Sequence, residues 1–88
     1  MSDFNKINDE ALENVTGGVK RTIHNDAVGY ANVREQPGLD TNVYFTLNNG
    51  TEVETTGNTI TRDGYTWYEV CLKYPYDYGW IAGNLIGY

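Results

Sequence analysis

The chain has 88 residues, 12 acidic against 6 basic side chains, eight tyrosines, two tryptophans and a single cysteine. That length allows one small domain with a thin core, since so short a chain buries only about 60% of the surface it exposes when unfolded. A net charge of −6 argues against a phosphate-tracking nucleic-acid binder, a lone Cys71 excludes an internal disulfide or a multi-cysteine zinc site, and no apolar run approaches the roughly 20 residues of a membrane-spanning helix.

The first 18 residues differ in kind from the rest. Their apolar side chains fall at Phe4, Ile7, Ala11, Leu12 and Val15, close to the helical period, so they line one face of an amphipathic helix. Ser2 or Asp3 suits its N-cap. Asp3, Asp9, Glu10 and Glu13 against Lys6 leave this part with a charge of −3. The pattern stops at Thr16-Gly17-Gly18, where paired glycines end a helix and leave the backbone pliable. On periodicity alone this is a short docking helix and a linker.

From Val19 the texture is that of an all-β domain. Strands are predicted over Val19–Asn25, Tyr30–Arg34, Asn42–Leu47, Thr51–Ile60, Tyr65–Lys73 and Tyr78–Ala82, each rich in Val, Ile, Thr, Tyr or Trp. Between them lie turn signals at Pro37-Gly38, Asn49-Gly50, Asp63-Gly64 and Tyr74–Asp77. Asn-Gly and Asp-Gly favour positive φ at both central positions of a two-residue hairpin, so two hairpins are expected. Short strands with regular turns point to a small barrel or sandwich. Alternation assigns the faces. Val33, Val43, Phe45, Leu47, Val53, Val70, Leu72 and Ile81 are the expected core. Tyr30, Asn32 and Arg34 face away from it, as do Trp67, Glu69 and Cys71.

No catalytic constellation stands out. His24 lies in the first strand without neighbouring ligands, and Cys71 has no base beside it in sequence. The acidic residues are scattered and fit solvated strand faces and loops. No metal and no cofactor are expected, and the chain is not expected to be an enzyme. Tyr74, Tyr76, Tyr78 and Trp80 crowd with Pro75 into seven residues. Two readings of them stay open. They cover a thin core, or they form a recognition surface, because Tyr and Trp offer large rigid area with a polar tip.

Four ordered blocks carry a family resemblance. They are Ala31-Asn32-Val33-Arg34 followed by Pro37-Gly38, Leu47-Asn48-Asn49-Gly50-Thr51-Glu52-Val53, Gly64-Tyr65-Thr66-Trp67-Tyr68-Glu69-Val70, and Gly79-Trp80-Ile81-Ala82-Gly83-Asn84-Leu85-Ile86. In this order they resemble a bacterial SH3 domain, which implies a small SH3-like barrel over residues 19–88. Such domains are binding modules without catalytic apparatus, and several recognise peptidoglycan peptides. Trp67 matches the groove tryptophan of the eukaryotic relatives, but Ala82 and Leu85 stand where those domains have Pro and Tyr. Asn32 and Arg34 replace groove tyrosines. Polyproline binding needs aromatic walls that are missing here. The resemblance therefore implies a cell-wall or extracellular peptide or glycan as partner. Asn32, Arg34, Trp67, Tyr76, Tyr78 and Asn84 are the expected ligand-binding residues.

The run Ile7-Asn8-Asp9-Glu10-Ala11-Leu12-Glu13-Asn14-Val15-Thr16-Gly17-Gly18 resembles a double-glycine leader peptide of the bacteriocin type. Counted back from a cut after Gly18, Val15, Leu12, Ile7 and Phe4 fall at −4, −7, −12 and −15, where that family has apolar residues. The resemblance implies that Phe4, Ile7, Leu12 and Val15 are the recognition residues for a peptidase-containing ABC transporter. Gly17 and Gly18 then thread its active-site cleft. It implies a cytoplasmic precursor, helical or disordered in residues 1–18, and a secreted or cell-wall-associated product. The expectation is a secreted, non-catalytic binding module. The alternative is a bacteriocin-like effector or signalling peptide acting on other cells.

Overall fold

The computed structural model describes residues 18–88. Phe4, Ile7, Leu12, Val15 and Gly17 lie outside the described residues. Six strands follow in chain order: β1 (Lys20–Thr22), β2 (Tyr30–Arg34), β3 (Val43–Asn48), β4 (Glu52–Arg62), β5 (Tyr65–Cys71) and β6 (Tyr78–Ala82), then one 3-10 turn (Gly83–Leu85). All pairings are antiparallel. The strands form one curled half-barrel sheet in the order β1-β4-β5-β6-β2-β3.

The β4–β5 hairpin is the one Asp63-Gly64 foretells. Both residues have positive φ, 56° and 80°, and Arg62 pairs with Tyr65 across a two-residue loop. The second expected hairpin is not one. At Asn49-Gly50 only the glycine has positive φ, and the Thr51 N–H donates to the Asn48 carbonyl at 3.1 Å, the pattern of a type II turn. That turn does not pair β3 with β4. It carries the chain from one end of the sheet to β4, near the other end.

Ile23, Ala31, Val33, Val53, Val70, Ile81 and Ile86 form the buried core, with Phe45, Leu47, Tyr68, Leu72 and Leu85 half-buried against it. Val43, expected in the core, is 39% exposed. The cause is a bulge. Val33 pairs with Phe45 but Arg34 pairs with Val43, so Tyr44 is the extra residue and Val43 turns to the side of Arg34. Ile23 and Ile86 enter the core from outside the regular strands. They are drawn in by bonds from the Ile23 N–H to the Thr51 carbonyl (2.9 Å) and from the His24 N–H to the Leu85 carbonyl (2.8 Å).

One clasp ties the start of the barrel to its end. The Arg21 guanidinium donates to the carbonyls of Ile86 and Gly87, both at 2.9 Å, and lies 4.2 Å over the Tyr88 ring. Tyr88 in turn stacks flat on Tyr68, with centroids 4.1 Å apart. That stack pins Tyr68 where a side chain at Gly83 would go: a Cβ there would meet Tyr68 Cε1 at 2.6 Å and the Thr66 carbonyl oxygen at 3.0 Å. Gly83→Ala is therefore expected to destabilise the domain by about 1–3 kcal/mol through overpacking. The check is a thermal melt, where each kcal/mol lowers Tm by roughly 4–8 °C in a domain of this size.

Candidate binding site

Trp67 lies on the non-core side of β5, as alternation requires, yet it is only 2% exposed. The β2–β3 loop folds over it. Pro37 and Gly38 are buried, and the Arg62 guanidinium donates to the Pro37 carbonyl at 3.0 Å. The Leu39 N–H donates to Asp63 Oδ2 at 2.9 Å, so the loop is fastened to the β4–β5 hairpin. The Trp67 Nε1–H donates to the Arg62 carbonyl at 2.9 Å. Tyr65 meets its ring edge-on at 6.0 Å, and the Arg34 guanidinium sits 5.9 Å from its centroid. The satisfied indole and its covering neighbours make Trp67 a second, smaller core beneath the site.

Above it opens a concavity of about 440 Å³, within the ordinary range for small-ligand sites. Asn32, Arg34, Trp67 and Asn84 all line it, so four of the six expected residues come together. They do so for a simple reason. Asn32 and Arg34 alternate on one face of β2, Trp67 shares the corresponding face of β5 and pairs with Ala82 of β6, and Asn84 follows in the 3-10 turn. Tyr30, Tyr65, Val28 and Leu39 also line it and were not singled out from sequence, whereas Ala82 and Leu85 line it at the positions that the resemblance sets against groove residues of the eukaryotic relatives. A signal for the two tyrosines was present, since Tyr30 alternates with Asn32 and Arg34, and Tyr65 with Trp67. Val28 and Leu39 sit in loops, where no periodicity marks them.

Tyr76 and Tyr78 are elsewhere. Tyr76 packs its ring 4.4 Å from Tyr44 and 5.2 Å from Phe45, on the margin of an apolar groove with Leu47, Val53 and Leu72. Tyr78 is 53% exposed and opposes Cys71 in the β5–β6 ladder, beside Glu54 and Thr55. Tyr74 is 96% exposed in the intervening turn. The aromatic cluster of the sequence is thus dispersed, and it does not form a wall beside Trp67.

Burial pushes the Cys71 thiol up, with Glu54 and Glu69 adding to the effect, which disfavours the thiolate a nucleophile needs. His24 Nε2 lies 2.8 Å from Asp26 Oδ1 with both side chains solvated. Among the described residues no three His, Cys, Asp or Glu side chains gather as a metal site would require, and no helix is long and apolar enough to cross a membrane.

No curated protein and no solved structure gives a significant match to the chain. The family model for the bacterial SH3 domain matches residues 29–87, which takes in β2 to β6, the 3-10 turn and the whole lining of the concavity apart from Asn25 and Val28. With that match over most of its length, and with the half-barrel that carries it, the chain belongs to the bacterial SH3 domain family.

Proposed function

We propose that this protein is a secreted, non-catalytic binding module whose concavity over Trp67 takes a cell-wall or extracellular peptide or glycan. Bacterial SH3 domains are generally binding modules rather than enzymes, which supports the class. The observation that carries the reading is the concavity itself, lined by Tyr30 and Tyr65, by apolar Val28, Leu39 and Leu85, and by the polar side chains of Asn32, Arg34 and Asn84. In this reading Asn32, Arg34 and Asn84 hold the ligand, Tyr30 and Tyr65 pack against it, and Trp67 supports the floor from beneath. Tyr76 and Tyr78 lie on other faces and are left out of the ligand contacts. The N-terminal segment serves export. Phe4, Ile7, Leu12 and Val15 dock on the peptidase domain of an ABC transporter, and the cut falls after Gly18.

The test is pull-down of the purified domain on peptidoglycan sacculi. Tyr30→Ala alters the exposed lining, and Arg34→Ala removes the lining's one charge together with its bond to the Thr41 carbonyl, so each variant is first checked to be folded by circular dichroism. A hydrogen bond to a charged group contributes about 1.5–3 kcal/mol, so Arg34→Ala is expected to weaken retention by roughly tenfold or more, and Tyr30→Ala to weaken it through lost packing area. Equal retention of the wild type and both variants would sink the wall-binding reading.

A further inference from the structure

We infer that the concavity recognises a free carboxylate, that of the C-terminal end of a short peptide with a small or apolar last side chain; this rests on the concavity being the binding site, as proposed above. The first argument is charge. Residues 18–88 are acidic on balance, with eight Asp and Glu against five Lys and Arg, so an arbitrary surface hollow should hold carboxylates. This one holds none. Its lining contains a single charged side chain, Arg34. Of the acidic groups in the flanking loops, Asp40 lies 3.3 Å from Arg62, Asp63 accepts from the Leu39 N–H and Asp26 lies against His24, while exposed Glu35 lies outside the lining. The one charge of the lining is therefore positive, which favours an anionic ligand over a cationic one.

The second argument is the state of the polar groups. Arg34 spends one N–H on the Thr41 carbonyl at 2.8 Å, and the Trp67 ring limits where the guanidinium can lie. Its other N–H groups have no acceptor among the described residues. A guanidinium held from one side leaves a fork that matches the two oxygens of a carboxylate. The asparagines divide by role. Asn25 is consumed by the fold, donating to the Tyr30 carbonyl and accepting from the Ala27 N–H. Asn32 and Asn84 make no side-chain hydrogen bond among the described residues and supply donors and acceptors for the peptide unit behind the carboxylate. Exposed Val28 and Leu39 then meet an apolar side chain. A volume of about 440 Å³ suits one or two residues rather than a long segment.

The experiment titrates the isotope-labelled full chain by NMR with N-acetyl-Ala-Ala as the free acid, with its C-terminal carboxamide, and with N-acetyl-aspartic acid α-amide. The free acid is expected to shift the Arg34 Nε–H and the Asn32 and Asn84 side-chain amides saturably. The carboxamide is expected to bind at least tenfold more weakly, and Arg34→Gln is expected to abolish the difference. Equal binding of acid and carboxamide, or no saturable shift with the acid, overturns the inference. Binding of the aspartyl probe as tight as the free acid overturns the C-terminal assignment and moves the recognised group to a side chain. The two readings fail separately. Sacculus binding that survives amidation of the wall carboxyls overturns carboxylate recognition alone, whereas carboxylate binding without sacculus binding overturns the wall partner alone.

Discussion

Trp67→Ala is expected to cost about 3–5 kcal/mol of stability, the range for removing a buried Trp or Phe side chain. Total stability in small domains is only about 5–15 kcal/mol, so the variant is expected to be largely unfolded or close to it. The reasons are local. Trp67 is 2% exposed, fills the space between β5 and the β2–β3 loop, and donates its indole N–H to the Arg62 carbonyl. Removing the ring also takes away the surface against which Arg34 of β2 and Tyr65 of β5 rest. Trp67→Phe keeps much of the area but leaves that carbonyl without its donor, a loss of about 1–3 kcal/mol. Urea denaturation followed by far-UV circular dichroism separates the three proteins. An unchanged midpoint for the alanine variant would show that Trp67 is a surface residue. One practical consequence is that truncating Trp67 is a poor probe of binding, because it removes the support of the site together with any contact. Tyr30, exposed in the lining, is the position where binding and folding come apart.

The way Trp67 behaves shows what was legible in the sequence. Alternation correctly put it on the non-core side of β5, but period two says only which side a residue faces. It does not say whether a loop thirty residues earlier will cover that side. The same limit explains the tyrosines. Tyr76 and Tyr78 are neighbours of Tyr74 and Trp80 in sequence, so they read as one surface. The turn after β5 sends Tyr76 onto Tyr44 and Phe45 of β3, and β6 sets Tyr78 against Cys71. Strands, their order along the chain and the Asp63-Gly64 hairpin were all readable, because they depend on local patterns. Val33, Val53, Val70 and Ile81 were readable as core for the same reason. Ile23 and Ile86 were not, since they are buried by partners more than twenty residues away. Val43 was misplaced by a bulge, and a bulge leaves no mark in a simple alternating run. Four of the six ligand-binding candidates share the concavity because they lie on strands whose face alternation had fixed or in a turn that follows directly.

The folded barrel is expected to resist removal of the leader. If the cut falls after Gly18, as proposed, the residues just beyond it are already part of the sheet. The Val19 carbonyl accepts from the Thr55 N–H at 2.9 Å, and Lys20, Arg21 and Thr22 pair with Glu54, Val53 and Glu52. A papain-like peptidase needs the chain extended in its cleft on both sides of the scissile bond. β1 cannot occupy that cleft and pair with β4 at once. The cutting rate therefore scales with the fraction of chains in which β1 is open, provided that opening is fast relative to cleavage. Each 1.4 kcal/mol of β1 pairing slows the cut about tenfold. The full chain is thus expected to be cut at least tenfold more slowly than an isolated peptide spanning residues 1–25, in which β1 has no partner. Arg21→Ala removes the clasp onto Ile86, Gly87 and Tyr88 without touching the residues at the cut, and is expected to speed cleavage of the full chain while leaving the peptide rate alone. Gly17→Val is expected to block both substrates. The measurement is a time course with the cognate transporter peptidase, with the new N-terminus identified by mass spectrometry as Val19. Equal rates for chain and peptide would show that β1 pairing exerts no control, and cleavage elsewhere would refute the leader reading itself. In the full chain β1 already pairs with β4, so on the proposed reading a slow cut of the folded state would make processing most efficient on chains whose β1 has not yet closed onto the sheet.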